Sequence, residues 1–206
     1  SSLGFEVIGV DVDAAKIELL TTGRVPFYEP GLEELLQKEI ASGRLTFTTD
    51  FKAITDADVH FICVGTPQQE GSLAADLKYV DAALEAVAAI CKPGALVVGK
   101  STVPVGTAAR LRERLLKINP GADLAWNPEF LREGFAVEDT LHPNRLVVGV
   151  TSDAAEAKLK EIYASNLAEN TPWVRADLPT SELVKVAANS FLATKISFIN
   201  AMAEVC

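Results

Sequence analysis

A doubly wound α/β fold with a mostly parallel sheet is what this 206-residue sequence predicts, and three features predict it. Short β-rich apolar runs alternate with helix-like stretches. The runs end in residues such as Gly, Pro, Ser, Thr or Asp. From Thr180 onward no helix breaker appears. Such alternation implies parallel strands joined by crossover helices, and sheets of this kind bind ligands outside the carboxyl ends of their strands.

The strands read in order as EVIGV (6–10), VHFICV (59–64), ALVVG (95–99), DLAW (123–126) and RLVVGV (145–150). Between them, helical periodicity falls at about 13–21, 31–42, 76–91, 105–118 and 153–165. Thr180 with Leu183 onward reads as one long helix. Residues 1–178 thus form one Rossmann-like unit, and 179–206 begin a long central helix. No internal repeat or low-complexity segment is visible.

Apolar residues make up 49% of the chain, enough for a sizeable core. The net charge is −9 with Lys and Arg scattered, which argues against nucleic acid or an anionic membrane surface as partner. Cys63, Cys91 and Cys206 are odd in number and far apart, so neither a disulfide framework nor a metal site is expected. No apolar run approaches bilayer length, and SSLGFEVIG lacks the basic start and long apolar stretch of a signal peptide. A soluble protein of a reducing cytoplasm is the expectation.

The residues after each strand carry the functional readings. Asp11 follows the first strand, where an acidic side chain accepts hydrogen bonds from an adenosine ribose. Capping of the next helix is the alternative, although Asp13 can cap while Asp11 binds ribose. Lys16, one turn on, could reach a phosphate. VGTP, with Val64, Thr66 and Pro67, and KSTVPVGT, with Ser101 and Thr102, combine small, hydroxylated and Pro residues that let backbone amides approach a ligand; ordinary turns look the same. In AWNPEFLREG, Asn127 can cap a helix, Pro128 fits its first position, and Glu129 and Glu133 suit its first turn. A carboxylate aimed over the strand ends could instead move a proton. Lys185 and Asn189 lie four apart, in line with Leu192, Ile196, Ile199 and Ala203. A buried amine there needs an anionic partner, whereas a snorkelling one does not.

Taken together, VPFYEPGLEELL (25–36), FICVGTP (61–67), KSTVPVGT (100–107), WNPEFLREGFAVEDTLHPNRLVVG (126–149) and ELVKVAANSFLATKISFINAMAEVC (182–206) resemble the nucleotide-sugar dehydrogenases along essentially the whole chain. The resemblance implies oxidation of a sugar C6 alcohol to a carboxylate by two hydride transfers to two NAD molecules, through a bound aldehyde and a cysteine thioester. It implies that Glu129 holds and activates a water. Glu133, with the neighbouring Phe130 and Leu131, would contact substrate and nicotinamide. Lys185 and Asn189 would stabilise the C6 oxyanion, and Thr102 would lie near the nicotinamide. It also implies UDP-glucose as substrate, with GDP-mannose or UDP-N-acetylmannosamine as alternatives, and a homodimer through the last helix. The family's glycine-rich loop and nucleophilic cysteine have no counterpart here. They are expected upstream of Ser1 and downstream of Cys206, and these residues alone are expected not to turn over substrate. A dinucleotide-binding domain without catalysis is the reading from another class.

Overall fold

The computed structural model describes residues 1–206. Its elements are β1 (Val7–Val10), α1 (Ala14–Thr21), α2 (Leu32–Ala41), β2 (Leu45–Thr48), β3 (Val59–Ile62), α3 (Lys78–Ala88), β4 (Leu96–Gly99), α4 (Thr107–Ile118), β5 (Asp123–Trp126), α5 (Ala136–Leu141), β6 (Leu146–Gly149), α6 (Asp153–Ile162), α7 (Ala164–Ala168), β7 (Trp173–Ala176) and α8 (Leu178–Val205). All five expected strands form. β2, β7 and α5 are additions, and the helix expected at 153–165 divides at Tyr163.

The sheet is in two pieces: β1 pairs with β2, and β3-β4-β5-β6-β7 form the larger piece in that order. Parallel pairing holds throughout, with one departure from the expected pattern. β6 runs antiparallel to β5, meeting it at Trp126 and Gly149. β1 and β3 each leave one edge unpaired, and both edges face a cleft of about 2360 Å³.

Strand alternation builds two apolar layers on the larger sheet. Val97, Leu124 and Trp126 pack with Leu84 of α3 and with Leu111 and Leu115 of α4. On the other face Leu96, Val98, Ala125 and Val148 pack with Ala155 and Leu159 of α6. Two glycines permit close approaches that place the site. A Cβ at Gly99 would lie 2.0 Å from the Trp126 ring, and one at Gly149 would lie 2.2 Å from Ser181 Oγ. The second contact presses the start of α8 onto the end of β6.

α8 begins where Asp177 accepts from the Thr180 amide at 2.7 Å, with a proline in the first turn. Its next turn is fixed by Glu182, which is 1% exposed and accepts from the Gly106 and Ala108 amides at 2.7 and 2.6 Å. That carboxylate caps α4 from a distant part of the chain. No helix is long and apolar enough to cross a membrane.

Candidate functional site at the carboxyl ends of the strands

Asp11 ends the first strand at the cleft, as its position in the sequence requires. Its Oδ1 accepts from the Asp13 amide at 3.0 Å, and its Oδ2 pairs with Lys16 Nζ at 2.6 Å. Burial pushes the Asp11 carboxyl up, but the Lys16 hydrogen bond and the Asp13 and Val12 amides outweigh it and hold the group below the ordinary range. Asp13 caps α1, accepting from Ala15 and Lys16 amides. Capping therefore falls to Asp13, and the Asp11 side chain stays at the cleft wall.

The loops after β3 and β4 are stitched together. Ser101 Oγ donates to Val64 O at 2.6 Å, and Thr66 Oγ1 donates to Thr102 O at 2.8 Å. Val64 and Pro67 line the cleft. Cys63, expected inside a strand, lies one residue beyond β3 and also lines the cleft. Cys91 is buried.

The segment 127–135 departs from the helix start expected of Asn-Pro-Glu. Helix α5 begins only at Ala136, and Asn127 caps nothing. Two competing sets of bonds explain this. Asn127 is 1% exposed, with its side chain committed to Lys100, Tyr163 and Val147 O. The helix terminus is served instead by Glu29, whose carboxylate accepts from the Gly134 and Ala136 amides at 2.9 and 2.7 Å. Local propensity for a cap loses to tertiary bonds.

Freed from a helix, Glu129 and Glu133 diverge. Glu129 turns into the cleft, its Oε2 accepting from the Leu131 amide at 2.6 Å and its Oε1 meeting Lys185 Nζ at 3.2 Å. Glu133 is exposed and does not line the cleft. Lys185 is 7% exposed, which answers the choice left open by sequence: it is paired with a carboxylate and does not snorkel. Its ammonium also lies 5.4 Å from the centre of the Phe130 ring, which has the Arg145 guanidinium at 4.4 Å. Asn189, one turn along α8, and Leu131 share the cleft wall.

Sequence reasoning passed over Lys100. Its ammonium donates to Asn127 Oδ1 at 3.1 Å, and burial holds it below the ordinary lysine range, partly offset by Cys63 and Glu129. Burial likewise pushes the Tyr163 phenol up to about 12. A lysine immediately after a central apolar strand was the available signal. The cleft thus holds both the Asp11 carboxylate and the Lys185–Glu129 pair, whose lysine is buried. No group of three or more His, Cys, Asp or Glu side chains could hold a metal ion.

Residues 1–167 match the model of the UDP-glucose/GDP-mannose dehydrogenase family, NAD binding domain, and 179–206 match the same family's central domain. The chain is 45% identical over 100% of its length to the UDP-glucose 6-dehydrogenase of Rhizobium meliloti (strain 1021), covering 48% of that protein. It is 42% identical to UDP-glucose 6-dehydrogenase TuaD of Bacillus subtilis (strain 168), covering 100% of this chain and 45% of that one. Among solved structures, a UDP-glucose dehydrogenase from Pyrobaculum islandicum superposes with a TM-score of 0.90 at 42% identity, covering 98% of this chain and 47% of that one. A GDP-mannose dehydrogenase from Pseudomonas aeruginosa gives 0.89 at 36% identity, covering 97% and 47%. The chain spans about half the length of the curated relatives it matches. With the strand-end carboxylate, the cleft and the lysine–glutamate pair in place, the chain belongs to the UDP-glucose/GDP-mannose dehydrogenase family, its first 167 residues being the NAD-binding domain.

Proposed function

We propose that this chain is the cofactor-binding part of an enzyme that oxidises the C6 alcohol of a nucleotide sugar, UDP-glucose foremost, to the carboxylate. The observation that carries the proposal is the pairing of the buried Lys185 with the half-buried Glu129 at 3.2 Å, in one cleft with Asp11 and Asn189. The names of the relatives in R. meliloti and B. subtilis support UDP-glucose, and the P. aeruginosa structure supports GDP-mannose as the alternative sugar.

NAD, when bound, supplies the hydride acceptor. Asp11 fits it: each carboxylate oxygen keeps a lone pair for a ribose hydroxyl, and a 2′-phosphate would meet negative charge. Lys16 is tied to Asp11 and so less able to compensate that repulsion. Glu129, beside the Lys185 amine, takes a proton through water as the alcohol is oxidised. Lys185 places positive charge where an oxyanion develops at C6, and Asn189 can donate an amide hydrogen beside it. Phe130 and Leu131 shape the wall the sugar meets, whereas Glu133 and Thr102 do not line the cleft and take no part in this reading. The unpaired edges of β1 and β3 would take one further parallel strand, whose following loop would reach the Asp11 end. The exposed half of α8 would pair two copies.

The test is NADH production by a full-length protein carrying this chain. UDP-glucose should yield two NADH per sugar, because an alcohol becomes a carboxylate. Turnover with GDP-mannose alone would move the assignment within the family, and NAD binding without turnover of any nucleotide sugar would leave a binding domain only.

A further inference from the structure

We propose that Asn127, held between Lys100 and Tyr163, is the positioning residue that presents Glu129 to Lys185. This deepens the dehydrogenase reading by naming what sets the geometry of its lysine–glutamate pair.

The side chain of Asn127 joins three neighbours. Its Nδ2 donates to Val147 O of β6 at 2.9 Å, while its Oδ1 accepts from Lys100 Nζ at 3.1 Å and from Tyr163 OH at 2.6 Å. Its backbone amide donates to Gly99 O at 2.8 Å. The residue therefore ties together the ends of β4 and β5, the middle of β6 and the end of α6. Its orientation is dictated by chemistry, because a lysine ammonium has donors only and must face the amide oxygen. Pro128 follows, with a fixed φ and no amide hydrogen, and Glu129 comes next. An anchor at 127 thus sets the path on which the carboxylate meets Lys185. A rival support exists: Phe130 lies between Arg145 and Lys185 and could hold the turn from its other side.

Competitive amine labelling of a full-length protein carrying this chain, read residue by residue by mass spectrometry, separates the two. Lys185 is protected in the wild type by burial and its carboxylate. Tyr163→Phe removes one oxygen and one bond to Asn127, and should label Lys185 about fivefold faster, the ratio that matches a lost hydrogen bond. Lys100→Met keeps an apolar stem and removes the ammonium, and about tenfold is expected because the lost bond is charged. Lys158, whose Nζ donates to Gly94 O at the opposite end of the sheet, is the control and should stay within about twofold. If Lys158 also loses protection in Lys100→Met, that variant has loosened globally and Tyr163→Phe decides. Wild-type labelling of Lys185 in Tyr163→Phe, or in a Lys100→Met chain with Lys158 still protected, would overturn the proposal and assign the turn to Phe130. No nucleotide or sugar enters the measurement, so its outcome is independent of whether the protein proves to be a dehydrogenase.

Discussion

The two halves of α8 reverse the usual relation between polarity and burial. In the first half Ser181, Glu182 and Lys185 are buried, whereas in the second Phe191, Leu192, Ile196 and Ile199 are all more than half exposed. Each buried polar group has a partner: Ser181 Oγ donates to Leu178 O, Glu182 accepts from α4, and Lys185 meets Glu129. The apolar side chains of the second half remain largely in contact with solvent. Burial in this helix follows what the sheet places beside it, and hydropathy alone would have inverted the assignment. The first half carries the buried polar groups that face the sheet and the cleft, and the second half offers an apolar face of the sort that marks a protein interface.

Substitutions can sharpen that contrast, the largest effect coming from the buried half. In a full-length protein carrying this chain, Lys185→Ala should lower turnover by about a hundredfold or more, as loss of an oxyanion donor does, while NAD affinity changes little. Near-normal steady-state rates would reduce the pair to a structural contact. Glu182→Ala leaves two backbone amides without their acceptor, and a loss of about 1–3 kcal/mol in chemical denaturation is expected for buried donors so stranded.

Asp11 supplies a smaller, pH-dependent effect. Its folded-state carboxyl lies below the unfolded value because the Lys16 bond and the Asp13 and Val12 amides outweigh burial. Its contribution is therefore present above the unfolded value, near pH ~4, and is lost as pH falls through the lower folded value. Asp11→Asn should flatten the acid limb of a urea-midpoint profile by less than about 1 kcal/mol, since the pair is partly exposed. An unchanged profile would mean that the Lys16 contact contributes nothing to folding. At the bottom of the scale, Ile196→Ser with Ile199→Ser should shift the stability of a monomer by no more than about 0.5 kcal/mol per site. The same pair should weaken self-association measured by sedimentation. A large loss of monomer stability would show the stripe folding back on its own domain and break the contrast between the halves.

Much of the fold was legible because the LVVG runs at 96–99 and 146–149 are apolar throughout and end in Gly, as a buried sheet requires. β2 and β7 were not, since LTFT and WVRA are short, mixed in polarity and sit beside turns. Their strand character comes from pairing with β1 and β6, a non-local event. The candidate site was legible at Asp11 and Lys185, where a residue type stands at a telling place in a pattern. It was illegible at Lys100, Tyr163 and Glu29, whose partners lie 27, 36 and more than 100 residues away.

The sequence by itself determined the alternation of strands and helices, the strand ends that bound the cleft, and the presence of a carboxylate and an amine at those ends. These follow from periodicity and turn chemistry, which are local. Only the tertiary structure decided that Asn127 would anchor rather than cap, that Glu129 and Glu133 would part, and that Lys185 would be buried against a carboxylate. In each case one polar group had several possible partners, and the choice was made by whichever distant atom the packed sheet brought within hydrogen-bonding reach.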